Sequence, residues 1–273
     1  MNIQEIIAKS ILTKSNIPNV DLVVNPYIGC EHGCIYCYAE FMKRFTAHHE
    51  PWGEFLDAKI NSPELVKPRG HYTNKIVMFS SVTDPYIPHE RKYELTRKIL
   101  YRLIPYQPSI TILTKSELFM RDIELFKQFK NIEVGISIST LNDQYMKQLE
   151  PRASIPLRRF NAIKKCHDAG LKTYIFLSPI FPFITEIEEI MEKTVDYVDY
   201  FMFENLNVRP HNRKRIFNFI KKNKPNLLSK YKEIFDKPQD HSYWDMLSGK
   251  IYNFGKKFNV ECINCFHHGG FTK

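Results

Sequence analysis

The stretch VDLVVNPYIGCEHGCIYCYAE (20–40) runs from an apolar, β-branched segment directly into three closely spaced cysteines, Cys30, Cys34 and Cys37. The composition of the first part predicts a strand that ends just before the cysteines. Three thiolates, with three and then two residues between them, can each bind one corner of an iron–sulfur cube. The stretch therefore predicts a strand followed by a metal-binding loop.

Three protein ligands leave one iron of a four-iron cube open, and an open metal position is where a small molecule coordinates. Gly29 and Gly33 would let the loop curl tightly around the cluster. Tyr36 offers an aromatic ring that can lie against a bound adenine. A zinc loop or a plain ferredoxin cluster is the alternative; zinc needs a fourth ligand, and the constrained position of His32 disfavours it.

The rest of the chain alternates between apolar runs of strand length and amphipathic stretches whose apolar residues recur at helical spacing. Repeated alternation predicts parallel strands with right-handed crossovers, either as an open doubly wound sheet or as a barrel. No GxGxxG follows the first run, which disfavours a dinucleotide-binding sheet. The predicted strands are 20–28, 75–82, 109–115, 132–140, 172–180 and 198–206, and the predicted helices are 91–104, 121–129, 154–170 and 185–197.

Polar residues follow several of these predicted strands. In a barrel, chemistry collects at the carboxyl ends of the strands, so these residues predict one shared site. They are the cysteines after the first strand, Ser80–Tyr86 after the second, Lys115 after the third, Ser139 after the fourth and Asn205 after the sixth.

The CxxxCxxC spacing with an aromatic residue before the last cysteine resembles the radical S-adenosylmethionine superfamily. The resemblance implies an α/β fold, a partial (β/α)6 TIM-type barrel, with a [4Fe–4S] cluster on Cys30, Cys34 and Cys37. It implies that the amino and carboxylate groups of S-adenosylmethionine chelate the fourth iron. It also implies reductive cleavage to a 5′-deoxyadenosyl radical that abstracts hydrogen from a substrate, with an external one-electron donor such as flavodoxin or ferredoxin.

The segment SSVTDPYIPHE (80–90) lacks the GGE that is usual at this position and resembles the subset similar to spore photoproduct lyase. The resemblance implies that polar atoms of this segment hold the methionine ammonium group, and that Asp84 pairs with it through a charge-assisted contact. The alternative is that Asp84-Pro85 only shapes a turn. The candidate residues are Ser80, Ser81, Thr83 and Asp84.

Further segments also resemble that subset. Lys115, in a TKS–RD pattern, can meet the methionine carboxylate as a point charge, or it is an ordinary surface lysine. Ser139 can reach the ribose or the carboxylate if its side of the strand is the barrel interior. Arg152, in an EPR segment, can bind the carboxylate bidentately or pair with Glu150. Asn205 is a candidate for contacts with adenine or substrate.

Residues 1–207 are predicted to form the barrel, and 208–273 a C-terminal helical extension packed on the same domain. Cys262 and Cys265 form a CxxC near His267, which can bind zinc or help to hold an auxiliary cluster. The alternatives are a thiol that donates a hydrogen atom to a substrate radical, or a tail without metal. A sixth cysteine, Cys166, lies in a helical pattern and is expected to be an inert packed thiol.

The 273-residue chain has 43% hydrophobic residues, and no apolar stretch approaches the roughly 20 residues that span a bilayer. No apolar signal-peptide segment opens the sequence, so we expect a cytoplasmic protein without membrane partners. The net charge of +9 and the basic stretch 209–224 favour an anionic partner, and nucleic acid is one candidate. The alternative function is a non-catalytic iron–sulfur protein that binds nucleic acid or senses redox state.

Overall fold

The computed structural model describes residues 1–67, 72–237 and 240–266, and all structural statements refer to these residues. The strands are β1 (Asn2–Ile6), β2 (Leu12–Lys14), β3 (Leu22–Val24), β4 (Tyr27–Ile28), β5 (Phe55–Lys59), β6 (Ile76–Phe79), β7 (Ser109–Thr114), β8 (Ile132–Ile138), β9 (Lys172–Ile180), β10 (Tyr200–Asn205) and β11 (Glu261–Asn264). The α-helices are α1 (Glu90–Tyr93), α2 (Leu95–Leu103), α3 (Ile123–Phe126), α4 (Asp143–Leu149), α5 (Pro156–Asp168), α6 (Ile187–Thr194), α7 (Pro210–Asn223), α8 (Leu228–Asp236) and α9 (Ser242–Phe258).

An eight-stranded sheet forms the framework, in the order β11-β10-β9-β8-β7-β6-β3-β2. Strands β3 and β6 to β10 correspond to the six predicted strands, and each pairs in parallel with its barrel neighbour. From β6 to β10, α-helices lie between consecutive parallel strands, as right-handed crossovers require, whereas the connection from β3 to β6 contains β4, β5 and two 3-10 helices. The predicted α/β partial barrel is therefore confirmed.

The sequence pattern missed both edges of this sheet. Strand β2 pairs antiparallel with β3 at one edge, and β11 pairs in parallel with β10 at the other. The C-terminal extension is consequently not only helical: after α7, α8 and α9 it returns to the barrel sheet. Short strands of three or four residues carry too little periodicity to be read from sequence.

A second, three-stranded sheet in the order β1-β5-β4 was also missed. The segment predicted as one strand, 20–28, is divided after Val24, and Tyr27–Ile28 pairs with β5 instead of continuing in the barrel. Pro26 lies at the division, where a residue without an N–H suits a strand boundary. The cysteine loop that follows is thereby attached to the small sheet.

Two of the four predicted helices, 154–170 and 185–197, are confirmed apart from their ends, and the other two differ more. The stretch predicted as one helix over 91–104 is two helices, because Glu94 adopts a left-handed conformation with φ of 52°. The stretch 121–129 contains only the short helix α3, preceded by a 3-10 turn over Glu117–Asp122. None of the helices in the described ranges is long and apolar enough to cross a membrane.

Two stacked tyrosines pack against the sheet near the amino ends of β8, β9 and β10. The rings of Tyr174 and Tyr200 stack with centroids 5.0 Å apart. The Tyr174 hydroxyl donates to the Ile112 carbonyl at 3.3 Å, and the Tyr200 hydroxyl donates to Glu133 at 3.0 Å. Gly135 makes room for this arrangement, since a Cβ at that position would lie 2.2 Å from the Tyr174 ring. The amino ends of these strands are therefore filled by side chains, and a ligand site has to lie toward the carboxyl ends of the strands.

We expect Gly135→Ala to destabilise the fold by about 1–3 kcal/mol, the usual cost of overpacking a filled interior. Urea unfolding followed by circular dichroism measures this. Gly249→Ala is the matched control, because nothing lies within 4 Å of a Cβ there and the residue is inside α9. The control should gain about 0.5–1 kcal/mol. A Gly135 variant as stable as the unchanged protein would contradict this packing.

Candidate functional site

The three cysteines lie on one tightly turned loop. Backbone hydrogen bonds from the Gly33 N–H to the Cys30 carbonyl, at 3.3 Å, and from the Cys37 N–H to the Cys34 carbonyl, at 3.1 Å, close successive turns. Cys30 and Cys34 are buried, each 8% exposed. Burial raises the pKa of the Cys30 thiol well above its usual value, and the nearby Cys34 and Cys37 sulfurs add to this. The three sulfurs therefore converge on one region.

Glycines give the loop its shape. Gly29 and Gly33 both have positive φ, 84° and 61°, as their predicted role in curling the loop requires. A Cβ on Gly53 would lie 2.8 Å from the Gly33 Cα, so the segment before β5 presses directly on the cysteine loop. Sequence reasoning missed Gly53, because nothing local indicates which distant segment the loop approaches.

The donor set fits an iron–sulfur cluster with an open iron. Besides burial, the Cys30 sulfur meets the backbone N–H of His32, and the Cys37 sulfur meets that of Ala39. Such N–H groups stabilise thiolates, the form that binds iron. Cys37 occupies the N-cap position of the 3-10 helix Tyr38–Phe45, and the Ala39 N–H belongs to the first turn of that helix.

The zinc alternative gains no support from the surroundings. Over the described ranges, no group of three or more His, Cys, Asp or Glu side chains is arranged to hold a single metal ion. The imidazole of His32 is buried and faces Asp84, with 3.4 Å between Nδ1 and the carboxylate. It is therefore not directed into a fourth position beside the cysteines.

The buried carboxylate of Glu150 holds the side chain of Tyr36, which lies between Cys34 and Cys37 in the sequence. Glu150 accepts a short hydrogen bond from the Tyr36 hydroxyl, one at 2.9 Å from the Ser139 hydroxyl, and an ion pair from Arg159. The Glu150 and Arg159 side chains are fully buried. Arg159 also donates to the Ser137 carbonyl at 2.6 Å. This network ties the cysteine loop to β8 and α5.

Sequence reasoning missed Arg159, which is the buried partner of Glu150. Of the two alternatives for Arg152, the pairing with Glu150 is wrong. Instead, Arg152 donates to the carbonyls of Gly53, at 2.7 Å, and Glu31, at 3.2 Å, and it pairs with Glu54. Its guanidinium therefore clamps the segment before β5 onto the cysteine loop. A signal for Arg159 exists: it occupies an apolar position of its helix, four residues after Ile155.

The predicted ammonium ligand Asp84 is a hub between strand ends. Its carboxylate accepts from the Thr114 hydroxyl at 2.6 Å and from the Lys115 and Tyr86 N–H groups, each at 2.8 Å. The bond from Tyr86 is the turn contact that the alternative reading expected. Asp84 therefore joins the ends of β6 and β7. These hydrogen bonds are all to groups of the protein itself.

The other candidate residues of this segment differ in whether they already make hydrogen bonds within the chain. Thr83 donates to the Gly29 carbonyl at 2.7 Å, and the Ser81 carbonyl accepts from the Tyr38 hydroxyl. In contrast, the Ser80 hydroxyl is buried and has no hydrogen-bond partner among the residues with described positions. Ser80 also has a positive φ of 65°. An unpaired buried hydroxyl at a strand end is poised for a ligand.

Lys115 keeps a positive charge inside the site. Its ammonium lies 5.9 Å from the centre of the Tyr36 ring. Burial acts to lower the pKa of Lys115, but the Glu150 carboxylate and the Cys34 sulfur outweigh it, so the pKa is raised. Lys115 is half-buried and packs beside Tyr36, so it is not a freely exposed surface lysine. Asn205 is buried at the end of β10, where the sequence places it.

The two tail cysteines do not share a side of β11. The Cys262 sulfur faces α9, 3.2 Å from where a Cβ of Gly255 would be, and Asn264 contacts Ser248 on the same helix. Cys265 comes three residues after Cys262, just past the strand, where its N–H donates to the Phe203 carbonyl at 2.8 Å, and alternation along an extended chain turns its side chain the other way. His267 lies outside the described residues. The described portion therefore does not bring the CxxC sulfurs together as a metal site.

Comparisons with known proteins agree with this geometry. The family model described as "Radical SAM superfamily" matches residues 24–198. An uncharacterized protein of Methanocaldococcus jannaschii is 39% identical over 209 residues, 77% of this chain and 79% of that protein. The radical SAM Nalpha-GlyT isomerase of Pseudomonas phage M6 is 25% identical over 172 residues, 62% of this chain and 35% of that protein.

A solved structure of spore photoproduct lyase complexed with dinucleoside spore photoproduct has the same fold, with a TM-score of 0.70 at 13% identity. The similarity covers 97% of this chain and 82% of that one. Together with the family match, these findings show that the chain belongs to the radical S-adenosylmethionine superfamily and is an enzyme of that class. The family implies a [4Fe–4S] cluster and S-adenosylmethionine as cofactors.

Removing one partner of the buried ion pair should be costly. We expect Arg159→Met to lower the free energy of unfolding by about 3–5 kcal/mol, because it leaves the Glu150 carboxylate unpaired. Arg158→Met is the matched control: Arg158 is largely exposed and pairs with Glu117 at 3.0 Å, so it should cost less than about 1 kcal/mol. Equal costs for the two variants in urea unfolding at pH 7 would contradict the network.

Proposed function

We propose that the protein binds a [4Fe–4S] cluster through Cys30, Cys34 and Cys37, with S-adenosylmethionine at the open iron. When bound, these groups supply a 5′-deoxyadenosyl radical that removes a hydrogen atom from a substrate. An external one-electron donor such as flavodoxin or ferredoxin provides the electron. The observation that carries the proposal is the convergence of three thiols on a loop that opens toward the carboxyl ends of the parallel strands.

The chain's own side chains divide the work of holding S-adenosylmethionine. Lys115 is the half-buried cation for the methionine carboxylate, and the unpartnered Ser80 hydroxyl is the acceptor for the ammonium group. The ring of Tyr36, whose hydroxyl is held by Glu150, is the surface on which adenine stacks. Asn205, at the carboxyl end of β10, is a second contact for adenine or substrate. Pockets of this kind combine an apolar wall with a few convergent polar groups.

The other sequence candidates are assigned supporting roles. They are Ser81, Thr83, Asp84, Ser139 and Arg152, and each of them bonds to another part of the site. Asp84 and Ser139 in particular fix the strand ends on which the proposed ligands sit. Residues that hold binding groups in place are needed for affinity without touching the ligand themselves.

The proposed activity is tested by anaerobic reconstitution with iron and sulfide, followed by dithionite and S-adenosylmethionine. The unchanged protein should release 5′-deoxyadenosine, measured by liquid chromatography. Cys30→Ala should abolish release by removing a cluster ligand. Cys166→Ala is the control, because Cys166 is a buried thiol of α5 and should leave release unchanged. Release by the Cys30 variant, or none by the unchanged protein with and without candidate substrates, would contradict the proposal.

We further propose a nucleic acid as the substrate-bearing partner. Beside the net charge of +9, the 3-10 helix after Cys37 exposes two phenylalanines with an arginine between them in space. The Arg44 guanidinium lies 5.5 Å from the Phe41 ring centre and 4.6 Å from that of Phe45. Exposed aromatic rings with adjacent cations are the means by which proteins stack on single-stranded bases.

The basic stretch 209–224 supports the same partner less strongly than its sequence suggests. Arg213 pairs with Asp236, and Arg215 pairs with Glu40, so part of its charge is neutralised within the chain. The exposed cations that it still presents are Arg209, Lys214, Lys221 and Lys222. The aromatic segment beside the cysteine loop is therefore the better candidate for direct contact.

Binding of a fluorescent oligothymidylate tests this partner. We expect Phe45→Ala to weaken binding by about 1–3 kcal/mol, which is about 5- to 150-fold, through loss of stacking. Tyr101→Ala on α2 is the control, since both rings are similarly exposed, 65% and 67%. Affinity of the unchanged protein should also fall steeply as salt rises. Equal affinity of both variants, or a flat salt response, would count against a nucleic acid.

A further inference from the structure

Trp52, one of two tryptophans in the chain, carries an unsatisfied donor close to the cysteine loop. The residue is 9% exposed, and its indole nitrogen is buried with no hydrogen-bond partner among the residues whose positions are described. Burying an N–H without an acceptor costs about 1–3 kcal/mol, so such groups are rare in folded proteins. An unpaired N–H at this place calls for an acceptor that becomes a good one only when the cluster is bound.

The surroundings of Trp52 are those of the cysteine loop. The residue packs in one apolar cluster with Cys30 and Cys37. Its ring meets Phe55 edge to face, with centroids 5.7 Å apart. The indole N–H faces the Cys37 sulfur closely enough to influence it, without completing a hydrogen bond of full geometry to the bare thiol.

The backbone next to Trp52 is held against the cysteine loop. Gly53, the next residue, has a φ of 94° and touches Gly33 of the cysteine loop. Arg152 donates to the Gly53 carbonyl at 2.7 Å and holds the segment in place. These contacts hold the backbone beside position 52 against the loop, and the Trp52 ring itself is held by its packing on Phe55. Fixed donors of this kind are the ones that tune a metal centre.

We propose that Trp52 donates its indole N–H to the sulfur of Cys37 once that sulfur binds the cluster, and so raises the reduction potential of the cluster. This inference rests on the cluster of the proposed function. A donated hydrogen bond withdraws negative charge from the sulfur. The reduced cluster carries one more negative charge than the oxidised one, so it gains more from the bond. Trp52 acts here as a positioning and tuning residue, since its contact is with a ligand of the cluster.

The test is a redox titration of the full chain, reconstituted anaerobically and followed by the electron paramagnetic resonance signal of the reduced cluster. Trp52→Phe should shift the midpoint to a more negative potential with an unchanged iron content. We expect up to about a tenfold fall in the reduced-to-oxidised ratio at a fixed potential, equivalent to about 59 mV for one electron. Trp244→Phe makes the same change in the core, in contact with Phe235 and Phe266, and should leave the midpoint unchanged.

A second variant separates the effect of the lost N–H from the effect of altered packing at position 52. Replacement of Trp52 by benzothienylalanine keeps the shape of the ring and exchanges the N–H for sulfur. It should give the same negative shift as Trp52→Phe. Unchanged midpoints in both Trp52 variants, with iron content intact, would overturn the inference while leaving the cluster in place. An unchanged protein that binds no cluster would instead overturn the proposed function, and this inference with it.

Discussion

The site depends on a single buried carboxylate, that of Glu150. It receives the hydroxyl of Tyr36 from the cysteine loop, the hydroxyl of Ser139 from the end of β8, and the guanidinium of Arg159 from α5. Burial favours the neutral acid, but Arg159 and Lys115 outweigh it and hold the pKa of Glu150 below its usual value. The carboxylate therefore stays charged, and its contribution is present above the pKa of the unfolded chain and lost as pH falls through the folded-state value.

This arrangement explains how an irregular loop can hold a precise geometry. A buried ion pair is costly to form and is retained where it fixes one arrangement over others. Here it fixes the ring between Cys34 and Cys37, while Asp84 fixes the ends of β6 and β7 on the other side. Lys115 lies between these two carboxylates and keeps its charge because of them. The same charges that shape the loop therefore prepare a cationic position for an anionic ligand group.

The sequence was sufficient for the barrel and for the cysteines, and insufficient for what surrounds them. Apolar runs such as 132–140 and 172–180 are long enough to be recognised, and the cysteine spacing is a local pattern. The contacts of Trp52, Gly53 and Arg152 with the loop join segments that are distant in the chain, and no local pattern encodes them. Asp84 was predicted as a site residue, but its bonds to Thr114 and Lys115 follow only from the pairing of two strands.

The central claim is that the three cysteines leave one iron of a four-iron cluster open for S-adenosylmethionine. Mössbauer spectroscopy of the protein reconstituted with ⁵⁷Fe, before and after addition of S-adenosylmethionine, tests it directly. Three thiolate ligands predict that one iron in four changes its isomer shift on addition, while the remaining three keep theirs. Four equivalent irons that do not respond to S-adenosylmethionine would contradict the account.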